Sequence, residues 1–206
     1  MVSSRVIIKR LDELFPDAHC ELEHRNEFEL LIAVILSAQT TDKRVNLVTP
    51  RLFSLYPDAF SLAKADSKDV EEIIHSIGLY HHKSLNIIAC AKALVTIYDG
   101  VVPGTREELE KLPGVGRKTA NVVLANCFNV AAFAVDTHVH RVAYRSGIRA
   151  KDDDVLETEK KLMAFFPKKH WSKLHHQFIF FGRYLCHSKN PACDRCPFNG
   201  RCNYLR

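Results

Sequence analysis

Four cysteines near the carboxyl end of the chain are spaced like metal ligands. The segment CHSKNPACDRCPFNGRC contains the pattern C-x6-C-x2-C-x5-C, formed by Cys186, Cys193, Cys196 and Cys202. Four such thiols are not a disulfide set in a cytosolic protein, whereas thiolates bind zinc and iron–sulfur clusters. Zinc sites are usually built from two C-x2-C pairs, and this segment has one. The spacing therefore indicates a metal site and leaves both kinds of metal open.

A glycine-rich turn in the segment LPGVGRKTAN, residues 112–121, is a second chemical feature. It is not a nucleotide-binding P-loop, because its glycines are two positions apart and a helical segment precedes it. What remains is a pair of helices joined by a tight turn, in which the second helix begins near Gly116. Unpaired N–H groups at that helix start can hold one phosphate without reading a base. The alternative is a plain turn between two helices.

Lys118 lies in the first turn of the second helix, away from its apolar stripe. The positive end of a helix dipole disfavours a cation, so a lysine at this position needs a reason. One interpretation is a solvated lysine that adds positive charge for a phosphate. The other is an amine that the dipole, Arg117 and desolvation keep neutral, so that it acts as a nucleophile.

Asp136 follows the apolar run AAFAV and precedes the helical segment THVHRVAYRSG. This position is typical of an N-cap, whose carboxylate accepts a backbone N–H. A carboxylate at a helix start can also face a cleft and serve as a base or an electrostatic partner. Local sequence leaves both roles open.

The chain that carries these residues is predicted to be helical. Apolar positions recur with helical periodicity in six segments, 28–39, 70–78, 82–100, 105–112, 155–166 and 170–186. No segment alternates as a strand does, so we predict an all-α fold of about ten helices. The segment 28–39 is apolar on nearly all sides and is expected to be a central buried helix. Gly78 is predicted to end the second segment, and Pro113 the fourth.

Composition and charge narrow the class of protein. The chain has 206 residues, of which 47% are hydrophobic, and a net charge of +5. An excess of positive charge suits binding to a polyanion, although a slightly basic enzyme with no polyanionic partner has the same charge balance. The apolar run in MVSSRVIIKRLDELF is too short for a signal peptide, and no run reaches the roughly 20 residues of a membrane helix. We therefore expect a cytoplasmic monomer with no membrane partner.

The glycine turn, the segment AVDTHVHRV and the cysteine pattern, in this order, resemble the endonuclease III family. This family consists of bifunctional DNA glycosylase/AP lyases of the helix-hairpin-helix superfamily. The segments FELLIAVILSAQTTDKRVN and GLYHHKSLNI are similar to further family signatures, so the likeness covers nearly the whole chain.

The resemblance implies two helical domains with a DNA-binding cleft between them. A six-helix barrel is expected over residues 22–132, with a helix-hairpin-helix at about 107–126. An iron–sulfur cluster domain is expected over residues 133–206 together with the N-terminal helix 1–21. The implied cofactor is a [4Fe-4S] cluster with a structural and DNA-docking role, held by Cys186, Cys193, Cys196 and Cys202.

The resemblance also implies a reaction and its site residues. Lys118 would attack C1′ of a damaged or oxidised pyrimidine nucleotide, with Asp136 as the essential carboxylate, and β-elimination would then cut the strand 3′ to the abasic site. Gln39 and Leu79 match positions that fill the gap left by an extruded nucleotide. Other expected DNA contacts are Gly114, Val115, Gly116, Arg117 and Lys189. The implied partner is double-stranded DNA with a damaged pyrimidine or an abasic site, in a bacterial cytoplasm.

Two positions depart from the family pattern. Tyr144 stands where an Asn is common, and His81-His82 replace a pair that usually contains Asn or Arg. These departures bear on substrate range and not on the catalytic pair. Alternative functions are an adenine-mismatch glycosylase, a non-catalytic DNA-binding module with a structural metal, and an electron-transfer protein. The first usually has another domain and lacks the lysine, and the last leaves the hairpin unexplained.

Overall fold

The computed structural model describes residues 2–204, and within this range the chain forms helices and turns but no β-strand. Eleven α-helices follow one another here: α1 Ser4–Leu14, α2 Glu27–Leu36, α3 Asp42–Leu55, α4 Ala59–Ala63, α5 Ser67–Ile74, α6 Tyr80–Tyr98, α7 Arg106–Leu109, α8 Arg117–Cys127, α9 Thr137–Arg145, α10 Val155–Phe165 and α11 Trp171–Tyr184. Lys168–His170 and Cys193–Arg195 form short 3-10 helices. The prediction of an all-α fold is confirmed.

The chain divides into two compact units. One unit is Cys20–Val130, which contains α2 to α8. The other combines Met1–His19 with Ala131–Arg206 and contains α1 and α9 to α11. Residue 1 and residues 205–206, which fall within the predicted cluster domain, lie outside the described range. None of the helices within that range is long and apolar enough to cross a membrane.

The core of the first unit surrounds α2. Every residue from Phe28 to Leu36 is buried, as the apolar segment predicts for a central helix. Asn26 caps the helix by accepting the N–H of Glu29. Helices α6 and α8 pack against α2, so the second helix of the hairpin rests on the most deeply buried element of this unit.

Two predicted helix ends differ from the observed ones. Helix α5 ends at Ile74 and not at Gly78, because the apolar spacing continues into a turn after the helix has stopped. The left-handed residue there is Leu79, with φ of 60°. Helix α7 ends at Leu109, and further backbone turns lead from it to Pro113. Apolar periodicity alone does not separate a helix from the turns that prolong it.

The second unit is built on aromatic side chains and on α11. The ring of Phe178 meets Phe133 and Phe166 edge to face, with centroids 5.9 and 5.8 Å apart. Gln177 donates from Nε2 to a carboxylate oxygen of Asp12 at 2.9 Å and to the carbonyl of Phe15 at 3.2 Å. These bonds fasten the N-terminal helix α1 to α11, near the other end of the chain.

Candidate functional site

The hairpin predicted from the glycine turn is present as α7, a turn and α8. Arg106 of α7 donates from Nε to Oδ1 of Asn121 on α8, with a nitrogen–oxygen distance of 3.0 Å. Thr105 caps α7 through its side chain. Val115 is buried, and its N–H donates to the carbonyl of Leu112 at 3.1 Å. Hydrogen bonds therefore hold both the helices and the turn between them.

The two glycines of the hairpin differ in what they require. Gly114 has φ of 77°, and a Cβ there would lie 3.2 Å from side-chain atoms of both Asn86 and Ile35. Both its backbone conformation and its packing therefore need glycine. Gly116 has φ of −102°, which any residue adopts, and a Cβ there would meet nothing within 4 Å. Glycine at position 116 leaves open space beside the backbone, which an external group can enter.

The start of α8 presents backbone N–H groups to which its N-cap residue offers no side-chain acceptor. Gly116 is the N-cap and has no side chain to accept them, and the first turn contains no acidic residue. Arg117 is half-buried and Lys118 is exposed in this turn. Donor groups, the positive end of the helix dipole and two cations coincide here, an arrangement that favours an anion.

Asp136 is the N-cap of α9, one of the two roles indicated by the sequence. Its side chain is half-buried, and Oδ1 accepts the N–H of Val139 at 2.8 Å. The cap uses one of two carboxylate oxygens, so acceptor capacity remains. Burial lowers the pKa of the neighbouring His138, an effect that the charge of Asp136 opposes. Lys118 belongs to the first unit and Asp136 to the second.

Two exposed side chains of the first unit stand on left-handed backbone. Gln39 has φ of 55° and Leu79 has φ of 60°, and Leu79 is 53% exposed although it is apolar. A non-glycine residue in this conformation costs about 1–3 kcal/mol and persists only where its surroundings hold it. We call these two residues the insertion pair, after the role that the resemblance implies.

The four cysteines of the carboxyl-terminal pattern are free thiols that border one cavity. Phe181, Phe198 and Arg145 also line it. Burial raises the pKa of the Cys196 thiol, and the other three cysteines raise it further, while the N–H of Phe198 acts in the opposite direction. Within residues 2–204, however, no three His, Cys, Asp or Glu side chains are placed to hold a metal ion. The four thiols share this one cavity.

Known proteins resemble this chain over almost its full length. Residues 32–168 match the model of the HhH-GPD superfamily of base excision DNA repair proteins. Endonuclease III of Bacillus subtilis (strain 168) is 49% identical over 195 residues, which are 95% of this chain and 89% of that protein. A trapped endonuclease III–DNA covalent intermediate, in an estranged-adenine complex, is 50% identical, with a TM-score of 0.95 and complete coverage of both chains. The chain belongs to the endonuclease III family.

A second solved structure of the endonuclease III family supports the same assignment. It is a non-covalent endonuclease III–DNA complex, 52% identical with a TM-score of 0.93, which covers 98% of this chain and 96% of that one. Membership makes the chain an enzyme of base excision repair, a DNA glycosylase and AP lyase. The adenine-mismatch enzyme, the non-catalytic module and the electron-transfer protein are therefore set aside.

In this member of the endonuclease III family, two arginines that sequence reasoning missed hold the cysteine segment to α9. Arg145 donates from Nη1 to Sγ of Cys186 at 3.3 Å and to the carbonyl of His187 at 2.7 Å. Arg141 donates from Nη2 to the carbonyls of Gly182 and Cys186, at 2.8 and 3.1 Å. Their one sequence signal is a spacing of four, which places both on the same helix face. The helix that begins at Asp136 is thereby tied to the cysteines.

Proposed function

We propose that this enzyme removes damaged pyrimidines, including oxidised ones, from double-stranded DNA and cuts the strand 3′ to the resulting abasic site. The observation that carries the proposal is the uncapped start of α8, because its backbone N–H groups can hold the phosphate. The exposed amine of Lys118 in the same turn is then available for covalent chemistry. A similar protein was trapped as a covalent intermediate with DNA, and such a bond needs a protein nucleophile.

In the proposed reaction Lys118 and Asp136 have separate tasks. The neutral amine of Lys118 attacks C1′ of an extruded nucleotide, and the base leaves with the C1′–N bond electrons. Positive charge develops on the sugar in this step, and the carboxylate of Asp136 stabilises it or accepts the amine proton. The nitrogen of Lys118 then expels O4′ from C1′, O4′ takes up a proton, and the opened sugar is held as a Schiff base that acidifies C2′. Loss of a C2′ proton then breaks the C3′–O bond, which is β-elimination.

We propose DNA contacts for three parts of the chain. The hairpin holds a backbone phosphate through its main chain and Arg117, with the residues Gly114, Val115 and Gly116. The insertion pair, Gln39 and Leu79, fills the gap left by the extruded nucleotide, whose removal from the stack costs a few kcal/mol. Lys189 is exposed in the cysteine segment and meets a further phosphate. The place of action is the cytoplasm, where bacterial DNA lies.

Replacing each hairpin glycine by alanine should separate phosphate binding from folding. We expect Gly116→Ala to melt like the wild type, because a Cβ there meets no other atom of the protein. Its methyl group would occupy the space that the phosphate enters, so the variant should bind a duplex with an abasic-site analogue about tenfold more weakly. This is the effect of losing one charge-assisted hydrogen bond of roughly 1.5 kcal/mol. Gly114→Ala should instead lower the free energy of unfolding by about 1 kcal/mol or more, because its φ is positive and its surroundings are close-packed. Fluorescence anisotropy and thermal melting measure the two effects. Unchanged affinity in Gly116→Ala would show that no phosphate is held at this position.

We propose a [4Fe-4S] cluster, and not a single zinc ion, on Cys186, Cys193, Cys196 and Cys202. In support, the four thiols border one cavity, and their pattern has a single C-x2-C pair where zinc sites usually have two. The N–H donated by Arg145 to Sγ of Cys186 would stabilise a bound thiolate. When bound, the cluster would cross-link the segment and position Lys189. The unit that contains α9 to α11 is accordingly the proposed cluster domain, and the other is the proposed six-helix barrel.

Loss of one thiol should remove this cofactor. We expect Cys202→Ser, purified without oxygen, to lose most of its iron and visible absorbance and to melt at a lower temperature than the wild type. Cys127→Ala is the matched control, since Cys127 is a half-buried thiol of the other unit whose pKa burial raises to about 11. It should keep its iron. Elemental analysis that finds one zinc and no iron in the wild type would contradict the cluster.

A further inference from the structure

Lys83 is a buried lysine of the first unit that the proposed reaction does not use. It lies near the start of α6, on the stripe that continues with Ile87 and Leu94, and it is only 3% exposed. Burial lowers the pKa of its ammonium group, so the charged form costs free energy in this position. Its Nζ donates to Oγ1 of Thr40 at 2.7 Å, an uncharged acceptor. Core packing alone does not require such a residue, since an apolar side chain would fill the same space at lower cost.

Lys83 connects the two loops that carry the insertion pair. Thr40 directly follows Gln39, and its N–H closes the turn by donating to the carbonyl of Ser37 at 3.0 Å. The backbone N–H of Lys83 donates to the carbonyl of Leu79, also at 3.0 Å. One residue therefore holds the first loop by its side chain and the second by its main chain.

A second contact joins the helix that follows the first loop to the second loop. Arg44, in the first turn of α3, donates from Nη2 to the carbonyl of Ser76, three residues before Leu79. Arg44 is exposed, whereas Lys83 is buried and its hydrogen bond to the half-buried Thr40 is partly shielded from water. Because a hydrogen bond is stronger where water is excluded, the contact of Lys83 is expected to be the firmer of the two.

We propose that Lys83 is a positioning residue, whose hydrogen bond to Thr40 sets the separation of Gln39 and Leu79 so that both enter the duplex as one preformed unit. This inference rests on the proposed role of the insertion pair. Ordering both side chains before binding removes an entropic cost from their insertion.

The test separates insertion into the duplex from folding and from general DNA binding. Lys83→Met and Thr40→Val each remove the hydrogen bond, while Thr40→Ser keeps the hydroxyl group. A duplex with 2-aminopurine opposite an abasic-site analogue reports unstacking of the opposite base by its fluorescence. We expect the first two variants to reach less than about half of the wild-type fluorescence change and to cleave abasic duplex about tenfold to a hundredfold more slowly in single turnover. Their affinity for undamaged duplex should stay within about twofold, and Thr40→Ser should match the wild type.

A double variant tests whether the two side chains act together. If Lys83 and Thr40 work only through their shared hydrogen bond, Lys83→Met with Thr40→Val should be no slower than the slower single variant. The inference would be overturned if the rate reductions of the two single variants multiplied in the double variant. It would also be overturned if both single variants gave the wild-type change in 2-aminopurine fluorescence. Lys92→Met removes an exposed lysine from the same helix and should behave as the wild type.

Folding and the underlying reaction are controlled separately. Lys83→Met removes a buried charge and is expected to melt at or above the wild-type temperature. Should it fail to fold, Thr40→Val and Thr40→Ser carry the test alone, because Thr40 is only half-buried. A wild type that forms no borohydride adduct with abasic DNA would refute the proposed function. A wild type that forms the adduct, with variants that insert and cleave normally, would refute the role of Lys83 alone.

Discussion

Replacing Lys118 by Ala or by Arg is expected to abolish the adduct that borohydride traps between the protein and abasic DNA. Cleavage at the abasic site should fall by about a thousandfold or more, the range seen when a nucleophile is removed. The reason is chemical, because a Schiff base needs a primary amine that can lose its proton, and a guanidinium does not deprotonate in proteins. The measurement uses an end-labelled duplex, borohydride and a denaturing gel.

The Arg variant distinguishes the two interpretations of this lysine. If Lys118 only adds charge near the phosphate, Lys118→Arg keeps that charge and should cleave nearly as fast as the wild type. If Lys118 is the nucleophile, both variants are inactive while the Arg variant still binds the duplex. Lys111→Ala is the matched control, because Lys111 is exposed on the same hairpin and its loss removes the same charge. That variant should form the adduct.

Asp136→Asn is expected to lower the single-turnover rate about a hundredfold or more while leaving the melting temperature within about 2 °C of the wild type. Asn caps a helix as well as Asp does, so the hydrogen bond from the N–H of Val139 survives. The negative charge, which is the proposed contribution to the reaction, is lost. Quenched-flow kinetics measures the single-turnover rate, and differential scanning calorimetry on the same preparation measures the melting temperature.

Asp154 supplies the control for this prediction. It is the exposed N-cap of α10 in the same unit and accepts the N–H of Glu157 at 2.7 Å. Asp154→Asn should therefore retain both stability and activity. Asp136→Ala should lose about 1 kcal/mol of unfolding free energy together with activity, because it removes the cap as well as the charge. Full activity in Asp136→Asn would leave Asp136 as a cap only.

Features that depend on neighbouring residues could be predicted from the amino-acid sequence. Helical periodicity showed an all-α chain, and the buried helix α2 follows from its continuous apolar segment. The turn at Gly114, the cap at Asp136 and the start of α8 after Gly116 were predicted from residue types at fixed spacings. Each is a local feature, in which side chain and backbone a few residues apart decide the structure. The motif order was also sufficient to indicate the family.

Features that depend on contacts between distant residues could be read from the folded structure alone. Leu79, and not Gly78, is left-handed, against the local preference for glycine in that conformation. Lys83 meets Thr40 across 43 positions of the chain, and Arg145 meets Cys186 across 41. No spacing rule predicts such pairs, since they form only after helices have packed. The roles of the buried lysine and of the arginines of α9 could therefore not be predicted from the sequence, because their partners lie far away along the chain.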